Sequence, residues 1–143
     1  MIITGRGLTE IIAKEGALKI KEVSYIHAEA FPGGEFKHGA LALIGPNHPI
    51  PVISMVLNDE HFKYNLSTLE QLKAWETKVV VITDCKNKIN KELYDYVIEI
   101  PSCGKLTALL AVIPFQLLAL YMGELRGNSI DKPRNLAKAA TTR

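Results

Sequence analysis

The sequence predicts an α/β fold in which a parallel sheet is flanked by helices. Three observations carry that expectation. The runs PVISMVL (51–57) and KVVVIT (78–83) are β-branched and apolar without strict alternation, the pattern of strands buried on both faces. Segments with helical spacing lie between the strand-like runs instead of gathering at one end. At 143 residues, the chain has the length of one domain with a substantial core.

Taken in order, Ile2-Ile3-Thr4 reads as a short strand entering the turn Gly5-Arg6-Gly7. Thr9 is a candidate cap for a helix over 9–29. FPGGEFKHG (31–39) reads as a loop, ALALI (40–44) as a short helix or strand, and GPNHP (45–49) as a second loop. After the strand at 51–57, Asn58 or Asp59 can cap a helix over 59–75, with Phe62, Leu66, Leu69 and Leu72 at helical spacing. The strands at 78–83 and 96–100 follow, the latter stopped by Pro101. Residues 105–126 read as a long apolar helix, kinked or repacked at Pro114 and ended by Gly127. The expected organisation is one domain over 1–126 and a polar tail over 127–143.

Composition narrows the function classes. A net charge of +2 is too small to argue for nucleic acid or an anionic membrane surface. Cys85 and Cys103 form no CxxC pair, which fits a reducing, cytoplasmic setting without a disulfide framework. The start MIITGRG lacks the basic and long apolar regions of a signal peptide. LTALLAVIPFQLLALYM (106–122) is nearly all apolar, yet it falls just under the usual span of about 18 residues and holds Pro114 and Gln116. It is expected as a core helix, not a membrane span.

The segment EGALKIKE (15–22) places charges among apolar helical positions. At about 100° per residue, with Glu15 as origin, Glu22 falls at about −20° and Lys19 at about +40°, among Ile11, Ile12, Leu18 and Ile26. Lys14 and Lys21 fall on the opposite, solvated side. Glu15, Lys19 and Glu22 are therefore expected to project from the centre of the apolar stripe. An ion-pair ladder at i,i+4 and i,i+3 would account for them structurally. Proton transfer would account for them chemically, because a carboxylate in an apolar cleft can act as general base and then as acid. That pairing suits proton abstraction beside a carbonyl, as in sugar isomerisation.

Other candidates carry weaker signals. His27, His38, His48 and His61 lack metal-ligand spacing, so neither a metal nor a cofactor is expected. His38 lies in a glycine-flanked loop, where a solvent-exposed histidine and a functional one are both open readings. Gly5-Arg6-Gly7 and PSCGKLT (101–107) could each present backbone N–H groups to an anion, but simple turns and caps look the same. Cys103 has no evident histidine partner for nucleophilic work. Nothing local distinguishes Lys138 from a mobile terminal lysine.

KEGALKIKEVSYIHAEAFPGGEFKHGALALI (14–44), PFQLLALYMGELRG (114–127) and DKPRNLAK (131–138) together resemble the isomerase part of the glutamine–fructose-6-phosphate aminotransferases. The resemblance runs over nearly all of the chain. It implies a SIS (sugar isomerase) domain with flavodoxin-like, three-layer architecture. It also implies a set of roles. Glu22 matches the glutamate that moves a proton between the first and second sugar carbons. Lys19 matches the lysine that assists, and Glu15 the carboxylate that supports the cluster. His38 matches a histidine linked to ring opening that reaches the site from a neighbouring subunit. Lys138 matches the tail lysine that forms a Schiff base with fructose 6-phosphate.

The resemblance also has limits. It covers only the last quarter or so of that family's length. Ile2 stands where a glutaminase domain needs a cysteine after Met1, Ala40 stands where the family usually has proline, and AATTR differs from the usual ending. The first SIS half, which holds most sugar-phosphate contacts in the family, is not in the chain. Three functional expectations follow. The first is a catalytic half completed by a partner chain that carries the missing SIS half and glutaminase. The second is a homodimeric sugar-phosphate-binding module, with Lys105 or Arg6 near the phosphate. The third is an inert remnant.

Overall fold

A computed structural model describes residues 1–136. Five strands form one parallel sheet: β1 (Ile2–Gly5), β2 (Glu29–Pro32), β3 (Val52–Met55), β4 (Val79–Thr83) and β5 (Tyr96–Glu99), in the spatial order β2-β1-β3-β4-β5. The helices are α1 (Leu8–Ser24), α2 (Phe62–Ala74), α3 (Thr107–Leu110) and α4 (Val112–Leu125).

Side chains alternate across each strand, so one apolar run supplies two cores. Ile3, Ile53, Met55 and Ile82 pack with Ala13, Ala17 and Ile20 of α1 and with Phe115 and Ala119 of α4. Ile2, Val52, Val79 and Val81 pack on the opposite face with Leu69 and Leu72 of α2 and with Phe36. This is why the central strands lack a polar alternation: both faces are covered. Thr4 and Ser54 are the buried polar pair of adjacent strands, and their hydroxyls satisfy each other at 3.0 Å.

The structure corrects the first helix. It ends at Ser24, not at 29, and Tyr25 follows in the left-handed region at φ 56°. Residues Glu29–Pro32, read as helix end and loop, form edge strand β2 beside β1. EAFP is short and has no β-branched run, so periodicity does not mark it. The edge position tolerates its terminal proline. Thr9 does not cap α1 from outside. It sits in the first turn, where its hydroxyl accepts from the Arg6 N–H and donates to the Arg6 carbonyl, both at 2.8 Å. Residues 40–44, expected as a short helix or strand, contain a 3₁₀ turn at Ala40–Leu43.

The long apolar helix is divided. A 3₁₀ turn at Gly104–Leu106 leads into α3, and the chain breaks at Ala111 before α4 begins. Pro114 lies in the first turn of α4, where its missing N–H costs no helical bond within α4. The Gly104–Leu125 span is long and apolar enough to cross a membrane by length and composition alone. Its inner side nevertheless has a place in this fold, with Phe115 and Ala119 buried in the core.

Candidate functional site

Two stripes run along α1. One contains Thr9, Ile12, Ala13, Gly16, Ala17 and Ile20 and is buried. Its small residues admit α4 closely: a Cβ on Gly16 would lie 2.6 Å from the Phe115 ring. The other contains Leu8, Ile11, Glu15, Leu18, Lys19 and Glu22 and faces outward, with Ile11 62% exposed and Leu18 41%. The apolar stripe that carries the three charges therefore exists, but it is not this chain's core face. Angular reading weights Ile11 and Leu18 as core and overlooks how effectively Ala13, Gly16 and Ala17 pack.

Glu15, Lys19 and Glu22 form one cluster on that outward stripe. The Lys19 ammonium donates to Glu22 Oε2 at 2.7 Å and lies 3.6 Å from Glu15 Oε1. The hydrogen bond to Glu22 pushes the Lys19 pKa up, against a smaller opposing effect of partial burial, so the amine is an ammonium at neutral pH. Lys14 instead pairs with Glu10 on the solvated side, at 2.7 Å.

The tail returns to the same end of α1. Asn128 Nδ2 donates to the Val23 carbonyl at 2.9 Å. The backbone N–H of Arg134 donates to the Tyr25 hydroxyl at 2.8 Å, and its guanidinium lies 4.2 Å from the Tyr25 ring centre. Both anchor points lie within one helical turn of Glu22. Lys138 falls outside the described residues.

His38 is not brought to this cluster. It is exposed on the turn Glu35–His38, just beyond the carboxyl end of β2. Glu22 lies near the other end of the sheet, because α1 runs back from the carboxyl edge over about 21 Å between Leu8 and Glu22. One copy of the chain therefore separates the two residues.

The strand-end turns Gly5-Arg6-Gly7 and PSCGKLT, noted in the sequence, border a second concave region, whose residues Asn58, Asp59, His61 and Asp84 sequence reading did not single out as site residues. A cavity of about 690 Å³ opens beyond the carboxyl ends of the strands, lined by Gly7, Asn58, Asp59, His61, Asp84 and Lys105 among others. That is where parallel sheets usually bind ligands. Its signal was the set of turns that follow each strand. The lining includes Asp59, Glu60 and Asp84 against Lys105 and His61, a poor balance for a phosphate. The His61 ring fills the space at Gly7, where a Cβ would lie 2.4 Å from Nε2. Arg6 is turned away and stacks 5.2 Å from the Tyr64 ring centre. The Arg6 Nε is buried without a hydrogen-bond partner among the described residues, and Lys105 lines the cavity. Among the described residues, no group of three or more His, Cys, Asp or Glu side chains could hold a metal ion.

Known proteins share this architecture and sequence. The chain is 46% identical over 138 residues to the glutamine–fructose-6-phosphate aminotransferase (isomerizing) of Caldanaerobacter subterraneus subsp. tengcongensis, covering 96% of this chain and 22% of that protein. It is 43% identical over 143 residues to the same enzyme of Francisella tularensis subsp. tularensis, covering 23% of its length. The chain thus spans less than a quarter of the curated relatives it matches. Among solved structures, the C-terminal domain of the Francisella tularensis glucosamine-fructose-6-phosphate aminotransferase matches with a TM-score of 0.83 and 40% identity, over 92% of this chain and 37% of that one. An Escherichia coli tagatose-6-phosphate ketose/aldose isomerase shares the fold at a TM-score of 0.77 and 21% identity, covering 99% of this chain and 40% of that one. The SIS domain model matches residues 1–123, and the chain belongs to the SIS domain family.

Proposed function

We propose that this chain, with residues 1–126 as domain and 127–143 as reactive tail, is the catalytic half of a fructose 6-phosphate isomerising site. The observation that carries the reading is the Glu15–Lys19–Glu22 cluster on an outward apolar stripe, with the tail anchored beside it at Val23 and Tyr25. Glu22 is the general base. Lys19, already an ammonium, cannot accept the substrate proton, so it acts as the charge partner of Glu22 and as a proton donor. Glu15 holds Lys19 from the other side.

Lys138 condenses with the C2 carbonyl of the ketose, forming a C=N bond and releasing the oxygen as water. The imine withdraws electrons from C1, so a carboxylate suffices to remove a C1 proton. Ammonia then displaces the Lys138 nitrogen from C2 by imine exchange, which frees the lysine amine. Glu22 takes the C1 proton of the resulting imine and returns it to C2 while the C1 hydroxyl gives up its own proton. The electron pair stays within the carbon chain, C1 becomes the aldehyde carbon, and no external oxidant or cofactor is required. Ammonia from a separate glutaminase would supply the amino group of glucosamine 6-phosphate.

Two features favour completion by another polypeptide in the cytoplasm. The stripe around the cluster leaves Leu8, Ile11 and Leu18 exposed, an apolar surface of the kind that marks an interface. His38 can serve this cluster only from a second copy, which favours at least a dimer. A partner carrying the preceding SIS half would hold the phosphate. The second reading, a stand-alone homodimeric sugar-phosphate-binding module, draws on the same exposed stripe. Deuterium wash-in separates them. In D₂O with fructose 6-phosphate and the partner half, the first reading expects deuterium at C1, lost in Glu22→Gln. Ligand-induced thermal stabilisation of the chain alone, with no wash-in under either condition, would favour the second.

A further inference from the structure

We infer that the groove between α4 and β5 is an interface for a second copy of this chain, the two α4 helices packing antiparallel. The inference uses a face that the catalytic reading leaves idle, and it stands without that reading.

Helix α4 is apolar on more sides than this chain covers. Phe115, Ala119 and Gly123 are buried towards α1 and the sheet. The other side carries Leu109, Ile113, Leu117, Tyr121 and Leu125, each four residues after the last. All five are exposed, by 46 to 88%. A helix that is hydrophobic all round belongs inside a larger assembly or a membrane.

Beside this stripe lies a free edge of the sheet, because β5 pairs with β4 alone. Between β5 and α4 runs a groove of about 440 Å³, lined by Ile98, Ile100, Pro101, Ile113, Leu117 and Tyr121 among others. Tyr96, also exposed, continues the β5 wall, since residues two apart share a face.

Three occupants can be compared. The residues after Leu136, AKAATTR, have no aliphatic or aromatic side chain larger than alanine. A membrane surface calls for a basic rim, whereas Glu99 and Glu124 border this face. A second copy matches in area and in charge. At about 200 Å² per large side chain, the exposed parts of Tyr96 and the five stripe residues offer roughly 700 Å² per copy. A symmetric pair then removes about 1,400 Å² from water, within the range of about 1,200–2,000 Å² for specific interfaces.

Charge fixes the direction of the pair. The stripe itself holds no charged residue. Exposed Glu124 lies at its carboxyl end, and exposed Lys105 precedes its amino end. Among the described residues, neither has an ion-pair partner. An antiparallel pair centred between Ile113 and Leu117 sets Leu109 opposite Tyr121 of the second copy. It also brings Glu124 beside Lys105 of the second copy, at both ends by symmetry. A parallel pair would oppose like charges instead.

Sedimentation velocity on the full chain alone, across micromolar concentrations, tests this. Wild type should dimerise. Leu117→Glu should weaken the dimer about tenfold or more, because it places a charge at the centre of the contact. Leu117 is half exposed in one copy, so the melting temperature should hold. Lys105→Glu and Glu124→Lys, both at exposed positions, should each weaken the dimer about threefold. The double variant should recover most of that loss. A wild-type monomer, or a dimer that tolerates Leu117→Glu, overturns the inference. A double variant no tighter than either single one overturns the antiparallel pairing. A monomer whose complex with the preceding SIS half of the Caldanaerobacter subterraneus relative is lost in Leu117→Glu gives the groove to that partner, which also overturns it.

Discussion

Lys19 and Glu22 meet at 2.7 Å on a helix face that this chain leaves open, with 27% of the Glu22 side chain exposed. A pair of this kind stabilises a helix by only about 0.3–0.5 kcal/mol. Glu22→Gln should therefore shift the melting temperature little. Loss of a general base should lower turnover by about 10²–10⁴-fold. Thermal denaturation and an isomerisation assay on the same preparation read both effects. A large stability loss with unchanged turnover would assign the pair to the fold instead.

Packing of α1 on α4 depends on Gly16. The Phe115 ring is fully buried and lies where a Cβ would go, so it has no room to give. Gly16→Ala gains about 1 kcal/mol of helix propensity, but forced repacking costs about 1–3 kcal/mol. Urea denaturation should show a net loss, and Phe115→Leu should rescue part of it by opening space.

The amino-terminal edge of β4 carries a pH-dependent clamp. Partial burial works to raise the Asp95 pKa, yet hydrogen bonds from the Val79 N–H and from the Lys78 and Lys73 ammonium groups outweigh it and hold it at about 2. A carboxylate with a depressed folded-state pKa contributes stability above its unfolded value of about 3.9. That contribution should be lost as the pH falls from about 4 towards 2. Chemical denaturation across that window should show a shallower decline for Asp95→Asn, which should also be less stable at about pH 7.

Much of the fold was legible because the central strands are long apolar runs. PVISMVL and KVVVIT announce their burial on both faces, and both fell in the sheet as expected. EAFP was not legible, since an edge strand of four residues with a terminal proline has no periodic signature. The grouping of Glu15, Lys19 and Glu22 followed from helical geometry, but their outward direction did not. Distinguishing a core stripe from an interface stripe requires knowing where α4 packs. The tail contacts at Val23 and Tyr25 join residues 105 and 109 positions apart, beyond any local pattern.

The outward stripe should matter for association more than for folding. Ile11→Gln removes exposed apolar surface, so the isolated chain should stay within about 0.5 kcal/mol of wild type. Sedimentation analysis should show weaker assembly with itself or with a partner half. Unchanged assembly would place the interface elsewhere.

Reconstitution tests the catalytic-half reading most directly. The chain is mixed with the separately produced preceding SIS half of its Caldanaerobacter subterraneus relative, and aldose formation from fructose 6-phosphate is measured in the presence of ammonia. The expected result is glucosamine 6-phosphate from the mixture, none from either half alone, and none when the chain carries Glu22→Gln. Turnover at the wild-type rate with Glu22→Gln, or a stable complex of the two halves that binds the sugar without converting it, would contradict it.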